Sequence, residues 1–255
     1  MGCNVDVKHP DVQNEIKRWG SWYYDHVGFD GVRFDALHAF VKVTDGDVHL
    51  FDAPLSRKFS DASRSENDYD LRQIFDNTLV KDQSTLAVTI VANHDTQPLQ
   101  ASENVVGAWF TPTAYAIILL RRDGYMCIFC ADYDGAEYTD KGRDGKEHRI
   151  SIPSHRLLID IFLDCRKDFA YGDQTDCFDH PNCVGWTRTG DDDHQGGMAV
   201  LVSNGDASTK RMSTGHEMTT YQDCTGHIED RVTTENEGFG DFSCLSRSVS
   251  VWIPA

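Results

Sequence analysis

Val88-Thr89-Ile90-Val91-Ala92-Asn93-His94-Asp95-Thr96-Gln97 and Gly31-Val32-Arg33-Phe34-Asp35-Ala36 decide how this chain is read. Each is an apolar, strand-like run that ends abruptly in charged and polar groups. Successive strand residues point to opposite faces, so Arg33 and Asp35 share a side. A strand that delivers a carboxylate at its C-terminal end is how a (β/α) barrel presents functional side chains. Asp35 and Asp95 are therefore the candidate catalytic residues.

The flanking sequence supports an α/β fold. Residues 10–27 have Pro10 at a first-turn position and Val12, Ile16, Trp19 and Trp22 or Tyr23 at helical spacing, which predicts a helix leading into the strand Gly31–Asp35. A second strand is expected at Phe51–Leu55, then a polar loop over 56–70, a helix over Asp70–Asn77 and the strand Leu86–Val91. An apolar helix is expected over Trp109–Arg122, closed by Asp123-Gly124. Met126–Ala131 follows as a buried strand, residues 132–150 as a polar loop, and Arg156–Phe169 as a helix with Leu157, Leu158, Ile161 and Phe162 on one face. From about residue 176, short strands such as Val184–Arg188, Met198–Val202 and Val249–Ile253 alternate with Gly, Asp and Asn turns, the pattern of an all-β region.

Composition narrows the function. Of 255 residues, 40% are hydrophobic, enough for a sizeable core. The net charge of −17 opposes binding to nucleic-acid phosphates and to anionic membranes, whereas a neutral sugar is compatible with it. No run reaches the ~18 apolar residues that span a bilayer. The first residues lack a signal peptide's apolar core, and Asp6 stands where myristoylation wants Ser or Thr, so a cytoplasmic location is expected. The eight cysteines are read as free thiols. Cys127 and Cys130 have metal-like spacing but no matching second pair, and are read as buried strand residues. Asp132-Tyr133-Asp134-Gly135 places its glycine too early for a calcium loop, and Asp191-Asp192-Asp193-His194 reads as a solvated turn.

An ordered set of motifs is similar to one family. Gly31-Val32-Arg33-Phe34-Asp35-Ala36-Leu37-His38 and Val91-Ala92-Asn93-His94-Asp95-Thr96-Gln97-Pro98 resemble the second and fourth conserved regions of the α-amylases of glycoside hydrolase family thirteen. The bacterial liquefying and intracellular fungal type is the nearest in pattern. His9-Pro10-Asp11-Val12, Phe51-Asp52-Ala53-Pro54-Leu55, Trp109-Phe110-Thr111-Pro112, Phe178-Asp179-His180 and Gly185-Trp186-Thr187-Arg188 add to the likeness.

The resemblance implies endo-hydrolysis of α-1,4-glucan, as in starch or glycogen, by double displacement with retention. It gives Asp35 the role of nucleophile and Arg33 that of the cation that keeps it ionised. Asp95 becomes the carboxylate that binds sugar hydroxyls, with His94 and His38 as further substrate contacts. It implies calcium as cofactor, with Asn4 at the position of one ligand. His38 stands where the family usually has lysine, Ala39 where it has histidine, and Ala92 where it has aspartate.

One expected residue has no place. Retaining glycosidases use two carboxyl groups about 5 Å apart, a nucleophile and a general acid. In the family the acid is a glutamate on the strand after the nucleophile's. Between Asp35 and Asp95 the sole glutamate is Glu66, in a polar stretch with no strand before it. The ten residues between Phe40 and Phe51 cannot hold a helix of ~10 residues and a strand of ~5. The fold expected is thus a partial (β/α)8 TIM barrel over 1–175, then an antiparallel all-β domain of Greek-key type over 176–255. The expected function is an α-amylase-like glycoside hydrolase with its acid glutamate missing. The alternative is a catalytically inactive glucan-binding or interaction protein derived from one.

Overall fold

Pro10 and the apolar spacing behind it give the expected helix, α1 (Pro10–Val27), with Asp11 in its first turn and His26 in its last. The charge of Asp11 suits the helix dipole. Trp19 stacks on Tyr23 at 5.1 Å and Trp22 on His26 at 4.8 Å. The structure, a computed structural model, describes residues 9–27 and 49–255. The chain divides into two compact units, Met1–Leu50 and Phe51–Ala255. The strand expected at Gly31–Asp35 lies outside the described residues.

After β1 (Leu50–Phe51) the sequence reading needs correction. Residues 53–65 are neither strand nor loop but a helix, α2 (Ala53–Ser65). Asp52 caps it, its carboxylate accepting the Leu55 N–H at 3.1 Å, and Pro54 sits in the first turn. Leu55, Phe59 and Ala62 are buried on one face together with Ser56, Ser60 and Ser63. Those serines made the segment look like a polar loop. Their hydroxyls donate to the Val91, Val105 and Ser60 carbonyls at 2.8, 2.6 and 2.8 Å, so burial leaves none of the three without a partner. The helix expected at Asp70–Asn77 shrinks to a single 3₁₀ turn, Leu71–Gln73, before α3 (Leu79–Asp82).

The strand β2 (Ala87–Ile90) pairs in parallel with β3 (Tyr125–Cys127), in a sheet of order β1-β2-β3. Between them α4 (Thr111–Leu120) is buried on nearly every side, as its uniformly apolar sequence requires. Gly124 turns the chain into β3 at a φ of +88°, and a Cβ there would lie 2.7 Å from the Thr89 side chain. β3 ends at Cys127, so Cys130 falls on α5 (Cys130–Asp134) and is exposed, contrary to its reading as a buried strand residue. The expected loop at 132–150 contains part of a hairpin, β4 (Ala136–Lys141) with β5 (Glu147–Ile152). One face of the hairpin, with Tyr138 opposite Ile150, is half-buried, and its other side chains are mostly exposed and polar.

α6 (Arg156–Phe169) has the expected bounds, and of its expected apolar face Phe162 is buried and Leu158 and Ile161 pack against the core, while Leu157 does not. Ile159, Phe162 and Cys165 are buried, while Leu157 is 77% exposed. The helix carries two overlapping apolar stripes, and packing against α4 selects one of them.

The C-terminal strands are antiparallel, as expected: β6 (Gln174–His180), β7 (Cys183–Arg188), β8 (Met198–Ser203), β9 (Ser208–Ser213), β10 (Thr220–Asp223), β11 (Val232–Thr233), β12 (Phe239–Cys244) and β13 (Val249–Pro254). Six form a sheet in the order β11-β10-β13-β8-β7-β6, and β9 pairs with β12. Strand alternation explains why β7, β8 and β13 are apolar on both faces. Val184, Trp186, Val200, Val202 and Val251 join a core with α2, α4 and α6. Cys183, Ala199, Leu201 and Trp252 face a second core with Met212, Phe242 and Cys244 from β9 and β12. The Trp186 indole N–H donates to the Leu120 carbonyl at 3.3 Å, a partner for one orphan group at the α4 terminus.

Two polar clusters tie the helices to this sheet. Arg121 makes a bidentate pair with Asp176, both bonds 2.8 Å, and its guanidinium lies over the Phe75 ring at 4.6 Å. The fully buried Asn204 amide donates to the Glu66 and Tyr69 carbonyls at 2.7 and 2.8 Å and accepts from Asn182 at 3.1 Å.

Candidate functional site

The end of β2 is held by α2, because the Val91 carbonyl accepts the Ser56 hydroxyl. The chain then makes a tight turn built by Asn93. Its side-chain oxygen accepts the N–H groups of Asp95 and Thr96 at 2.9 and 3.0 Å, and the Thr96 hydroxyl accepts the Asn93 N–H at 2.9 Å. This is an Asx turn. Asn93 and Thr96 close the turn, so the Asp95 carboxylate takes no part in it. That carboxylate is 56% exposed, and its one ion-pair contact among the described residues is His94 at 3.6 Å. The backbone positions are fixed, since Ser102 donates to the Asp95 carbonyl and Asn104 to the Thr96 carbonyl. The two sequence-predicted residues are thus neighbours on a rigid turn, directed to solvent at the carboxyl end of a parallel strand.

Asn4, Arg33, Asp35 and His38, the other predicted site residues, lie outside the described residues. Glu66 follows the last residue of α2 and pairs with Arg247. It stands at no strand end, as its sequence context implied.

A cleft of about 170 Å³ opens beside the turn, at the carboxyl ends of β2 and β3. Thr96, Gln97, Phe129, Asp132 and His155 are among its lining residues. The sequence reading takes Asp132 only as part of a rejected calcium-loop pattern and does not single out His155. Asp132 follows β3 on α5 and is 8% exposed. It accepts the Tyr115 hydroxyl at 2.8 Å, and that oxygen in turn accepts the Phe129 N–H at 3.2 Å. Burial raises the Asp132 carboxyl from 3.8 to about 6, and the Tyr115 bond only partly offsets it. Burial also pushes the Tyr115 hydroxyl up and the His155 imidazole down. The available signal was a strand followed by an acid, the same grammar that marked Asp95. The polar residues after Asp132 masked it.

Asp132 makes stability depend on pH in a set direction. Its folded value lies above its unfolded one, so the unfolded chain ionises first as pH rises. Asp132 therefore weakens the fold progressively between pH ~4 and ~6, by about 3 kcal/mol at ~1.4 kcal/mol per pKa unit. Asp132→Asn keeps an acceptor for Tyr115 and loses the charge. The stability difference between the variant and the parent chain, from urea melts, is expected to move in the variant's favour across that window. A difference that stays flat from pH 4 to 6.5 would mean that Asp132 ionises like an exposed carboxylate.

Calcium takes six to eight oxygens, and among the described residues no group of three or more Asp, Glu, His or Cys side chains converges as a metal site.

No protein-family model matches the chain. Over its whole length the chain is similar to curated α-amylases. It is 38% identical to an alpha-amylase of Geobacillus stearothermophilus, covering 100% of this chain and 52% of that protein. It is 39% identical to the cytoplasmic alpha-amylase of Escherichia coli (strain K12), covering 99% of this chain and 59% of that protein. The chain thus spans about half the length of the curated relatives it matches. The first alignment runs over 294 positions against 255 residues, so at least 39 positions lie opposite no residue of this chain. Among solved structures, an Anoxybacillus alpha-amylase matches with a TM-score of 0.65 over 98% of this chain and 64% of that one, at 13% identity. That likeness is one of fold. No helix among the described residues is long and apolar enough to cross a membrane.

Proposed function

We propose that this chain, related to α-amylases along its whole length, is an α-amylase-type glycoside hydrolase that takes α-1,4-glucan in the cleft beside Asp95. The observation that carries this reading is the Asp95 carboxylate. It is exposed at the carboxyl end of a parallel strand, on a turn that Asn93 closes without it. A carboxylate so placed accepts hydrogen bonds from two adjacent sugar hydroxyls, and His94 beside it donates another. On the same reading Asp35 attacks the anomeric carbon and forms the glycosyl-enzyme, while Arg33 keeps it ionised. His38 contacts the sugar on the leaving-group side. Asn4 is assigned to calcium by likeness alone, and no step runs through the metal.

The finer assignments belong to the same proposal. Residues 1–175 form a partial (β/α)8 barrel of the liquefying or intracellular fungal type, and 176–255 the following β domain. The parallel pair β2-β3 supports the first, and the antiparallel strands support the second. A cytoplasmic location is supported by the likeness to an Escherichia coli protein named for that compartment. A second reading, glucan binding without turnover, is favoured by one observation. Glu66, the sole glutamate between Asp35 and Asp95, is paired with Arg247 after a helix.

Binding separates both readings from a chain unrelated to glucans. Titration with a linear maltooligosaccharide in a calorimeter is expected to show saturable binding. Asp95→Ala is expected to weaken it by ~10–100-fold, the loss of a charge-assisted hydrogen bond of ~1.5–3 kcal/mol, with the melting temperature unchanged. Heat of dilution alone for the parent chain, or equal affinity for the variant, would overturn the glucan site.

A further inference from the structure

We infer that Cys165 and Cys224 form an intramolecular disulfide when the protein meets a thiol oxidant, which makes the pair a redox modification site. Cys165 lies on the buried face of α6, and Cys224 directly follows β10. The two sulfurs are 3.2 Å apart although 59 residues separate them in sequence. A disulfide bond is ~2.05 Å long, so ~1.2 Å of closure, shared between two side chains, completes it. The backbone around the pair is fixed. Cys165 sits in a continuous helix, and the Cys224 N–H donates to the Val251 carbonyl at 2.9 Å.

Position makes the pairing specific. Cys165 and Cys224 belong to the core on the helix side of the six-stranded sheet. Cys183, Cys244 and Cys177 belong to the core on its other face. Cys127 and Cys130 lie on β3 and α5, the latter exposed. Cys165 is 3% exposed, so the more accessible Cys224 meets the oxidant first.

With a low-molecular-weight disulfide such as oxidised glutathione the step balances. The Cys224 thiolate attacks one sulfur and expels a glutathione thiolate, leaving a mixed disulfide. The Cys165 thiolate then attacks the Cys224 sulfur and expels the second glutathione. Two protein thiols are oxidised and one glutathione disulfide is reduced to two thiols. The thiolate is the nucleophile. The neighbouring Cys165 and then burial hold the Cys224 thiol above its ordinary range, so oxidation is slow at neutral pH and quickens in alkali. The product ties α6 covalently to the sheet.

The test incubates the full chain with oxidised glutathione at pH 8.5, alkylates remaining thiols, and maps the digest by mass spectrometry without reduction. The expected result is one cross-linked peptide pair joining Cys165 to Cys224, two fewer titratable thiols, and a higher melting temperature that reductant reverses. Cys165→Ala and, separately, Cys224→Ser abolish all three changes, whereas Cys130→Ala keeps them. Full alkylation of both cysteines after oxidation, glutathione left on Cys224 in the parent chain, or loss of two thiols in either variant overturns the inference. The result is independent of whether the chain binds glucan.

Discussion

Starch hydrolysis by the 255-residue chain is expected at no more than ~10⁻²–10⁻⁴ of the rate of a glycosidase that carries both carboxyl groups, the usual contribution of a positioned general acid. The reaction needs a nucleophile and an acid about 5 Å apart. Asp35 and Asp95 supply two carboxylates by resemblance, and on the proposal that the acid glutamate is missing, the leaving sugar would depart as an alkoxide. Glu66 cannot take over from where it stands, because it follows α2, at no strand end, and is paired with Arg247. The alignment to one relative leaves at least 39 positions opposite no residue of this chain. Release of reducing ends from soluble starch measures the rate. Turnover matching an intact α-amylase, and lost in Asp35→Ala, would overturn both the missing acid and the reading of Glu66.

Asp223→Ala is expected to cause the largest loss of stability. Asp223 ends β10, just where that strand stops pairing with β13. Its carboxylate accepts the Thr225 hydroxyl at 2.8 Å and the N–H groups of Thr225, His227 and Ile228, each at 3.1 Å. It also accepts the Val251 N–H from β13 at 3.0 Å, in place of the strand neighbour that β10 no longer supplies. Removal leaves buried amide donors with no acceptor. Hydrogen bonds to a charged group contribute ~1.5–3 kcal/mol each and overlap, so a net loss of ~4 kcal/mol is expected. For a chain of this size that lowers the melting temperature by ~8–16 °C. Asp223→Asn retains one acceptor oxygen and should fall between. A melting temperature for Asp223→Ala within 2 °C of the parent would show that water replaces the carboxylate.

Legibility followed the strength of periodicity. The sequence places α1, α4 and α6 close to their observed bounds, because their apolar residues recur at helical spacing. β2, β7, β8 and β13 were read because β-branched runs between turn residues have few alternatives. α2 is not legible in the sequence for a definite reason. Half of its buried face is serine, and a serine looks solvated until the carbonyl it donates to is known. Those carbonyls belong to Val91 and Val105, more than thirty residues away. On α6 the expected face holds at Leu158, Ile161 and Phe162 and fails at Leu157, because Leu157 and Ile159 are equally apolar and packing against α4 favours Ile159.

The sequence by itself determined the local grammar: a strand, then Asn93, His94 and Asp95, an acidic chain suited to neutral ligands, and a β-rich C-terminal region. These depend on neighbours within a few residues, where backbone geometry and turn chemistry act. Only the tertiary structure decided that the Asp95 carboxylate is left out of its own turn, and that Asp132 and His155 meet beside it. The same holds for Cys165 facing Cys224 across 59 residues. Burial, the raised Asp132 carboxyl and sulfur–sulfur contact all arise from groups distant in sequence that packing brings within a few ångströms, and no local pattern encodes that distance.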